Sequence, residues 1–70
     1  MDVEQARRIK SALILRRENM TSLSRKLNLP YGSVVSNIHG YRNNRKLQEK
    51  IAEFLHIPVE ELFSFKKGKN

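Results

Sequence analysis

Residues 19–40 read NMTSLSRKLNLPYGSVVSNIHG, and this stretch decides the fold. Apolar residues three and four apart predict a short helix over Met20–Leu27. Asn19 suits the N-cap of that helix, because its side-chain oxygen can accept from a free amide of the first turn. Ser24 is small enough to let a second helix cross closely.

A break follows at Asn28-Leu29-Pro30. Asn tolerates the left-handed conformation that ends a helix, and Pro fixes a backbone angle suited to starting the next one. A third helix is therefore predicted from Tyr31 to His39, with Gly40 closing it. The unit is helix, tight turn, helix.

The outer face of this third helix is small, polar and uncharged. Val34 and Ile38 are four residues apart and should face inward, which sets the opposite face by the 100° helical period. A helix with such a face can enter the major groove of duplex DNA. The predicted base contacts are Tyr31, Gly32, Ser33, Val35, Ser36 and Asn37. The alternative is that these are ordinary solvent-facing residues, and Asn37 has a second alternative role in the turn after the helix.

The rest of the chain also predicts helices, so the fold class is all-α, a bundle of about five short helices. Asn44 is a further candidate N-cap, and no segment alternates like a strand for more than a few residues. The remaining predicted helices are Val3–Arg17, Arg45–His56 and a last turn at Val59–Phe63.

Charge is distributed unevenly. The 70 residues carry 14 Lys and Arg against 7 Asp and Glu, a formal charge of +7, and residues 19–48 contain no acid. Such a window suits a surface that faces phosphates. A solvated basic face without a partner is the alternative. The predicted DNA-backbone contacts are Met20, Thr21, Ser22, Arg25, Lys26, His39, Arg42, Asn44, Arg45 and Lys46.

Composition excludes several other classes. Without cysteine there is neither a disulfide nor a thiolate zinc site, and His39 and His56 are too isolated to suggest a metal cage, so no cofactor is expected. The sequence shows no pairing of a nucleophile with a base that would indicate an enzyme, so we expect neither catalysis nor a small-molecule ligand. The N-terminus lacks a secretory signal and the longest apolar run is 12–15, so we expect a cytoplasmic protein that does not enter a membrane.

Two motifs resemble a known family. Residues 23–29, LSRKLNL, resemble the pattern L-A-x-x-L-G-V of the Cro/repressor-type (XRE) helix-turn-helix domain. Residues 51–63, IAEFLHIPVEELF, resemble its closing pattern I-A-x-A-L-x-V-x-x-x-E-L-F. The sequence departs from the family pattern at three positions: Asn28 replaces the turn glycine, Ser24 the small alanine, and Asn37 a later apolar residue of the recognition helix. The apolar anchor is at Ile38 instead, as in the Ner-like phage regulators, which the sequence resembles in this respect.

This resemblance spans residues 9–63 and implies a lambda-repressor-like, DNA-binding transcription regulator of phage or bacterial origin. Repression by occupancy is the simplest expected outcome. We expect one domain at 1–65 and a basic tail at 66–70. The family implies paired half-sites and hence a homodimer, at least on DNA.

The candidate dimer surface is apolar. Ile14 and Leu15 cannot both face the core that Ile9 and Leu13 face, and Phe63 and Phe65 lie near the end of the chain. The alternatives are a dimer interface or a cover for the far end of a small core.

The rival function is a protein-interaction module of the same fold, such as an antitoxin, although few residues follow Phe63 to hold a partner. A membrane-surface helix is disfavoured by the capped breaks, and single-strand or RNA binding by the lack of a stacking platform.

Overall fold

The computed structural model describes residues 2–63, and this part of the chain is all-helical. The predicted fold class is confirmed, and no β-strand occurs between these residues. The five helices are α1 Val3–Leu15, α2 Met20–Leu27, α3 Tyr31–Ile38, α4 Arg45–Leu55 and α5 Val59–Leu62. The bounds of α2 are those predicted, and the other four helices end one or two residues earlier. None of the five is both long and apolar enough to cross a bilayer.

Asparagine side chains begin two of the helices, as predicted. Asn19 Oδ1 accepts from the Ser22 amide at 2.8 Å, and Ser22 Oγ accepts in return from the Asn19 amide at 3.0 Å. This reciprocal pair is a capping box, which satisfies two backbone donors at once. Asn44 Oδ1 accepts from the Leu47 amide at 3.3 Å and caps α4.

Left-handed residues end α2 and α4. Asn28 (φ 57°) closes α2 as expected, whereas His56 (φ 58°) was predicted to lie inside α4. Arg17 (φ 58°) likewise lies beyond α1, although the sequence placed it in that helix. A residue in this conformation cannot continue a right-handed helix, which explains the shorter bounds. Gly40 has φ +84° after α3 and lies against Asp2.

The core draws on all five helices. Its fully buried apolar side chains come from all five helices and from Phe63, the residue after α5. They are Ile9, Leu13, Leu23, Val34, Ile38, Ile51, Leu62 and Phe63. Phe63 is 1% exposed, so of the two alternatives for this residue the structure supports a place in the core and not one in a dimer interface. Ile14 and Leu15 do remain outside, at 71% and 85% exposed. Phe65 lies outside the described residues.

The pair α2 and α3 packs more extensively than any other pair of helices in residues 2–63. Ser24 is buried on α2, and its hydroxyl donates to the Thr21 carbonyl at 2.9 Å. Val34 and Ile38 are completely buried, so the predicted anchors of α3 are confirmed. Their burial fixes which face of α3 remains outside.

Candidate nucleic-acid interface

The outer face of α3 is built from small or uncharged side chains. Tyr31 is 53% exposed at its first turn, and no atom lies within 4 Å of the position that a Cβ of Gly32 would occupy. Ser33, Val35 and Ser36 are half-buried. Five of the six residues predicted to contact bases therefore reach the protein surface in whole or in part.

Asn37 is the exception, and its assignment as a base contact was wrong. The residue is 1% exposed. Its Nδ2 donates to the Ser33 carbonyl at 2.8 Å, and its Oδ1 accepts from the Asn44 amide at 2.7 Å. Every polar atom of the side chain is thus engaged inside the protein, and none is presented to a groove. The alternative role, in the turn that follows α3, is the one that the contacts support.

The segment after α3 folds back onto that helix. The amides of Tyr41 and Arg42 both donate to the Ser36 carbonyl, at 2.8 and 3.2 Å. An open cleft of about 350 Å³ results, lined by Ser33, Asn37, Arg42, Asn43 and Asn44. Because the lining supplies hydroxyl, amide and guanidinium groups, the cleft has the chemistry to receive an anionic oxygen.

Two buried glutamines support this arrangement, and sequence reasoning missed both. Gln48 Nε2 donates to Asn43 Oδ1 at 2.8 Å and to Asn37 Oδ1 at 3.3 Å. Gln5 Nε2 donates to the carbonyls of Asn37 and Ile38, at 3.2 and 3.0 Å. The signal was available: each glutamine occupies an inward position, one helical turn from a core residue.

Acidic side chains reach further into the basic region than the sequence order indicated. Glu18 stands just before the acid-free window, yet its carboxylate accepts from Ser22 Oγ and from Lys26 Nζ, both at 2.6 Å. The Lys26 hydrogen bond, followed by that of Ser22, lowers the pKa of Glu18. Two of the predicted phosphate contacts are therefore already bonded to a carboxylate in the protein without DNA.

Arg45 is also paired. Its guanidinium lies 3.0 Å from a Glu49 carboxylate oxygen and 3.5 Å from one of Glu60. All three side chains are more than half exposed, so these ion pairs are weak and an incoming phosphate can compete with them.

Other predicted phosphate contacts are not paired. Within residues 2–63, no carboxylate lies within ion-pair distance of Arg25, Arg42 or Lys46, and all three are exposed. Thr21 and Asn44 are exposed as well, and His39 is half-buried with its ring edge-on to Tyr41 at 6.3 Å. Met20 packs its side chain against the core, which leaves its backbone as the group available to a phosphate.

No group of acidic and histidine side chains in the described residues could hold a metal ion.

Two short helices joined by a tight turn, with the second presenting a groove-sized polar face, define a helix-turn-helix DNA-binding domain. The comparisons agree with that class. The chain belongs to the winged helix-turn-helix DNA-binding family, whose model matches residues 2–65. Comparisons with curated proteins and with solved structures found no match. Because residues 2–63 contain no strand, a wing hairpin is not among the described residues.

Proposed function

We propose that this protein is a sequence-specific regulator of transcription that binds double-stranded DNA with α3 in the major groove. The observation that carries the proposal is the composition of that helix surface: Tyr31, Gly32 and Ser33 lead an uncharged face that reaches solvent. Exposed cations precede it in α2 and follow it after Gly40. An α-helix fits the major groove, which is about 12 Å wide and displays a distinct pattern for each base pair.

The two kinds of contact have different roles. Base edges would meet Tyr31, Gly32, Ser33, Val35 and Ser36, which can hydrogen-bond or, for the valine, touch a thymine methyl. Phosphates would meet the groups that set register without reading sequence. These are Met20, Thr21, Ser22, Arg25, Lys26, His39, Arg42, Asn44, Arg45 and Lys46.

We also propose that the domain, at 1–65 with a basic tail at 66–70, is of the Cro/repressor type and close to the Ner-like regulators of phage. The support is the LSRKLNL motif at 23–29 and the closing pattern at 51–63. The mechanism that we propose is repression by occupancy of a promoter in the bacterial cytoplasm, because a DNA-binding domain bound to a promoter is enough to block it.

Pairing of two copies on DNA is a further part of the proposal. It is supported by the exposure of Ile14 and Leu15 on α1, because exposed neighbouring aliphatic residues favour an apolar contact. Leu15→Gln, which keeps the net charge, should abolish cooperative binding to a duplex with two half-sites and leave binding to a single half-site unchanged. Equal cooperativity in the variant would remove this surface from the interface.

Selection of preferred sequences from a random duplex pool, followed by a salt titration, tests the function. Enrichment of one motif is the expected result. Ser36→Ala should then cost about 1–3 kcal/mol at one base pair of that motif and little on random duplex. Binding that depends steeply on salt, with no enriched motif, would instead identify a nonspecific basic protein.

A further inference from the structure

The end of α3 and the start of α4 are joined by buried amide groups. Asn37 Oδ1 receives the Asn44 amide at 2.7 Å and Gln48 Nε2 at 3.3 Å. Gln48 Nε2 also reaches Asn43 Oδ1 at 2.8 Å. Asn37 and Gln48 are 1% and 3% exposed, so water cannot replace these bonds without a change in structure.

The connection is directional in a way that apolar packing is not. Asn37 is anchored within its own helix, because its Nδ2 donates to the Ser33 carbonyl one turn earlier at 2.8 Å. Its oxygen is thereby aimed at the backbone of Asn44, the N-cap of α4. A hydrogen bond holds both distance and angle, so it fixes the loop position relative to α3.

The two kinds of proposed DNA contact meet at this connection. The base-reading face belongs to α3, whereas Arg42, Asn44 and Lys46 belong to the loop and to the first turn of α4. For both to bind one duplex at once, their separation must match the groove and its phosphates, since a protein can only contact groups that its own geometry reaches.

We propose that Asn37 is a positioning residue for DNA binding: it touches no base, and it holds the phosphate-contacting loop at the distance from α3 that the duplex requires. This inference rests on the proposed function. The apolar Ile38 next to it anchors the helix to the core, and Asn37 sets where the following residues lie.

Two substitutions of similar shape separate positioning from general stability. Asn37→Leu removes the acceptor for the Asn44 amide. Gln5→Met, the matched control, removes a buried amide whose described bonds go to the carbonyls of Asn37 and Ile38 at the end of α3. Because both lose buried hydrogen bonds, both should unfold at lower urea concentration than the wild type.

Binding of a labelled random-sequence duplex is then measured over a salt series, at a temperature where each variant is shown to be folded. For Asn37→Leu we expect the plot of log K against log salt to be shallower by about one to two, because about one unit is lost with each phosphate contact. Gln5→Met should keep the wild-type slope. Single phosphates are then replaced by uncharged methylphosphonates. A replacement that weakens binding of the wild type at a phosphate contacted by the loop should leave binding of Asn37→Leu unchanged.

Each outcome decides one point. If the wild type fails to bind duplex, the proposed function is wrong, and this inference falls with it. If the wild type binds and Asn37→Leu keeps its slope, or Gln5→Met loses as much, only the positioning role is overturned. Should Asn37→Leu not fold, Asn37→Ala, which removes the same acceptor with a smaller side chain, is measured in its place and must lower the slope. A wild-type slope in Asn37→Ala would overturn the role.

Discussion

The contact between Glu18 and α2 makes a prediction about DNA affinity. Glu18 receives Ser22 Oγ and Lys26 Nζ at 2.6 Å each, and both donors are proposed phosphate contacts. The lysine side chain is 56% exposed, whereas that of the glutamate is 13% exposed. A phosphate that binds Ser22 or Lys26 must therefore compete with a carboxylate that is already in place. Glu18→Gln keeps the shape of the side chain and removes its charge.

The expected size follows from counterion release. If Glu18 holds Lys26 away from its phosphate in the wild-type complex and the variant completes that contact, one more phosphate is neutralised and the slope of log K against log salt steepens by about 0.9. Over a fourfold rise in salt, from about 50 to 200 mM, the variant should lose affinity about 3.5-fold more than the wild type does. At the lowest salt it should bind more tightly than the wild type.

Fluorescence anisotropy of a labelled random duplex, recorded over this salt range, measures both quantities. Glu53→Gln is the matched control, because it changes the net charge equally and no ion pair of Glu53 occurs among the described residues. The control should shift affinity slightly and leave the slope unchanged. An unaltered slope in Glu18→Gln, or an equal change in both variants, would refute competition between Glu18 and phosphate.

Three further expectations concern binding and stability. Arg42→Ala should weaken binding to all duplexes alike and reduce the salt slope by about one, which a titration against two unrelated sequences would test. His56→Gly should raise the free energy of unfolding by about 0.5–1 kcal/mol in urea titrations. The left-handed backbone costs a residue with a side chain roughly 1–2 kcal/mol, and the greater freedom of glycine in the unfolded chain cancels part of the gain from removing that cost. A lower free energy of unfolding would show that the His56 side chain makes a needed contact. Since the folded-state pKa of Glu18 is lowered, its stabilising contribution is complete above the ordinary glutamate pKa and is lost as pH falls through the folded value. The stability difference between wild type and Glu18→Gln should therefore vanish in acid, and a difference that persists there would assign it to packing.

Features set by neighbouring residues along the chain were predictable from the sequence. Asn19, Asn28 and Asn44 each act within a few residues of themselves, as caps or as a left-handed stop, and all three were assigned correctly. The anchors Val34 and Ile38 followed from helical period alone. Local geometry determines such features before any tertiary contact exists.

Features set by distant contacts were not predictable in the same way. Helical period places Asn37 only about 60° from Val34, so its burial depends on whether α4 offers a hydrogen-bonding partner there. The sequence showed that residues 19–48 contain no acid, but sequence order does not show that the carboxylate of Glu18, just outside that range, reaches Lys26. Phe63 follows a helix of four residues, too short for a period to show an inward face.

Apolar and polar contacts have different effects on the orientation of α3. Val34 and Ile38 hold the helix on the core, yet contacts between apolar surfaces tolerate small rotations because they are not directional. The hydrogen bonds of Asn37 are directional, and leaving its buried partners unsatisfied is costly, so they select one rotation among those that packing permits. The outward residues Tyr31 and Ser36 take no side-chain part in this selection. The surface that would read DNA can therefore vary in sequence while the pose of the helix that carries it stays fixed.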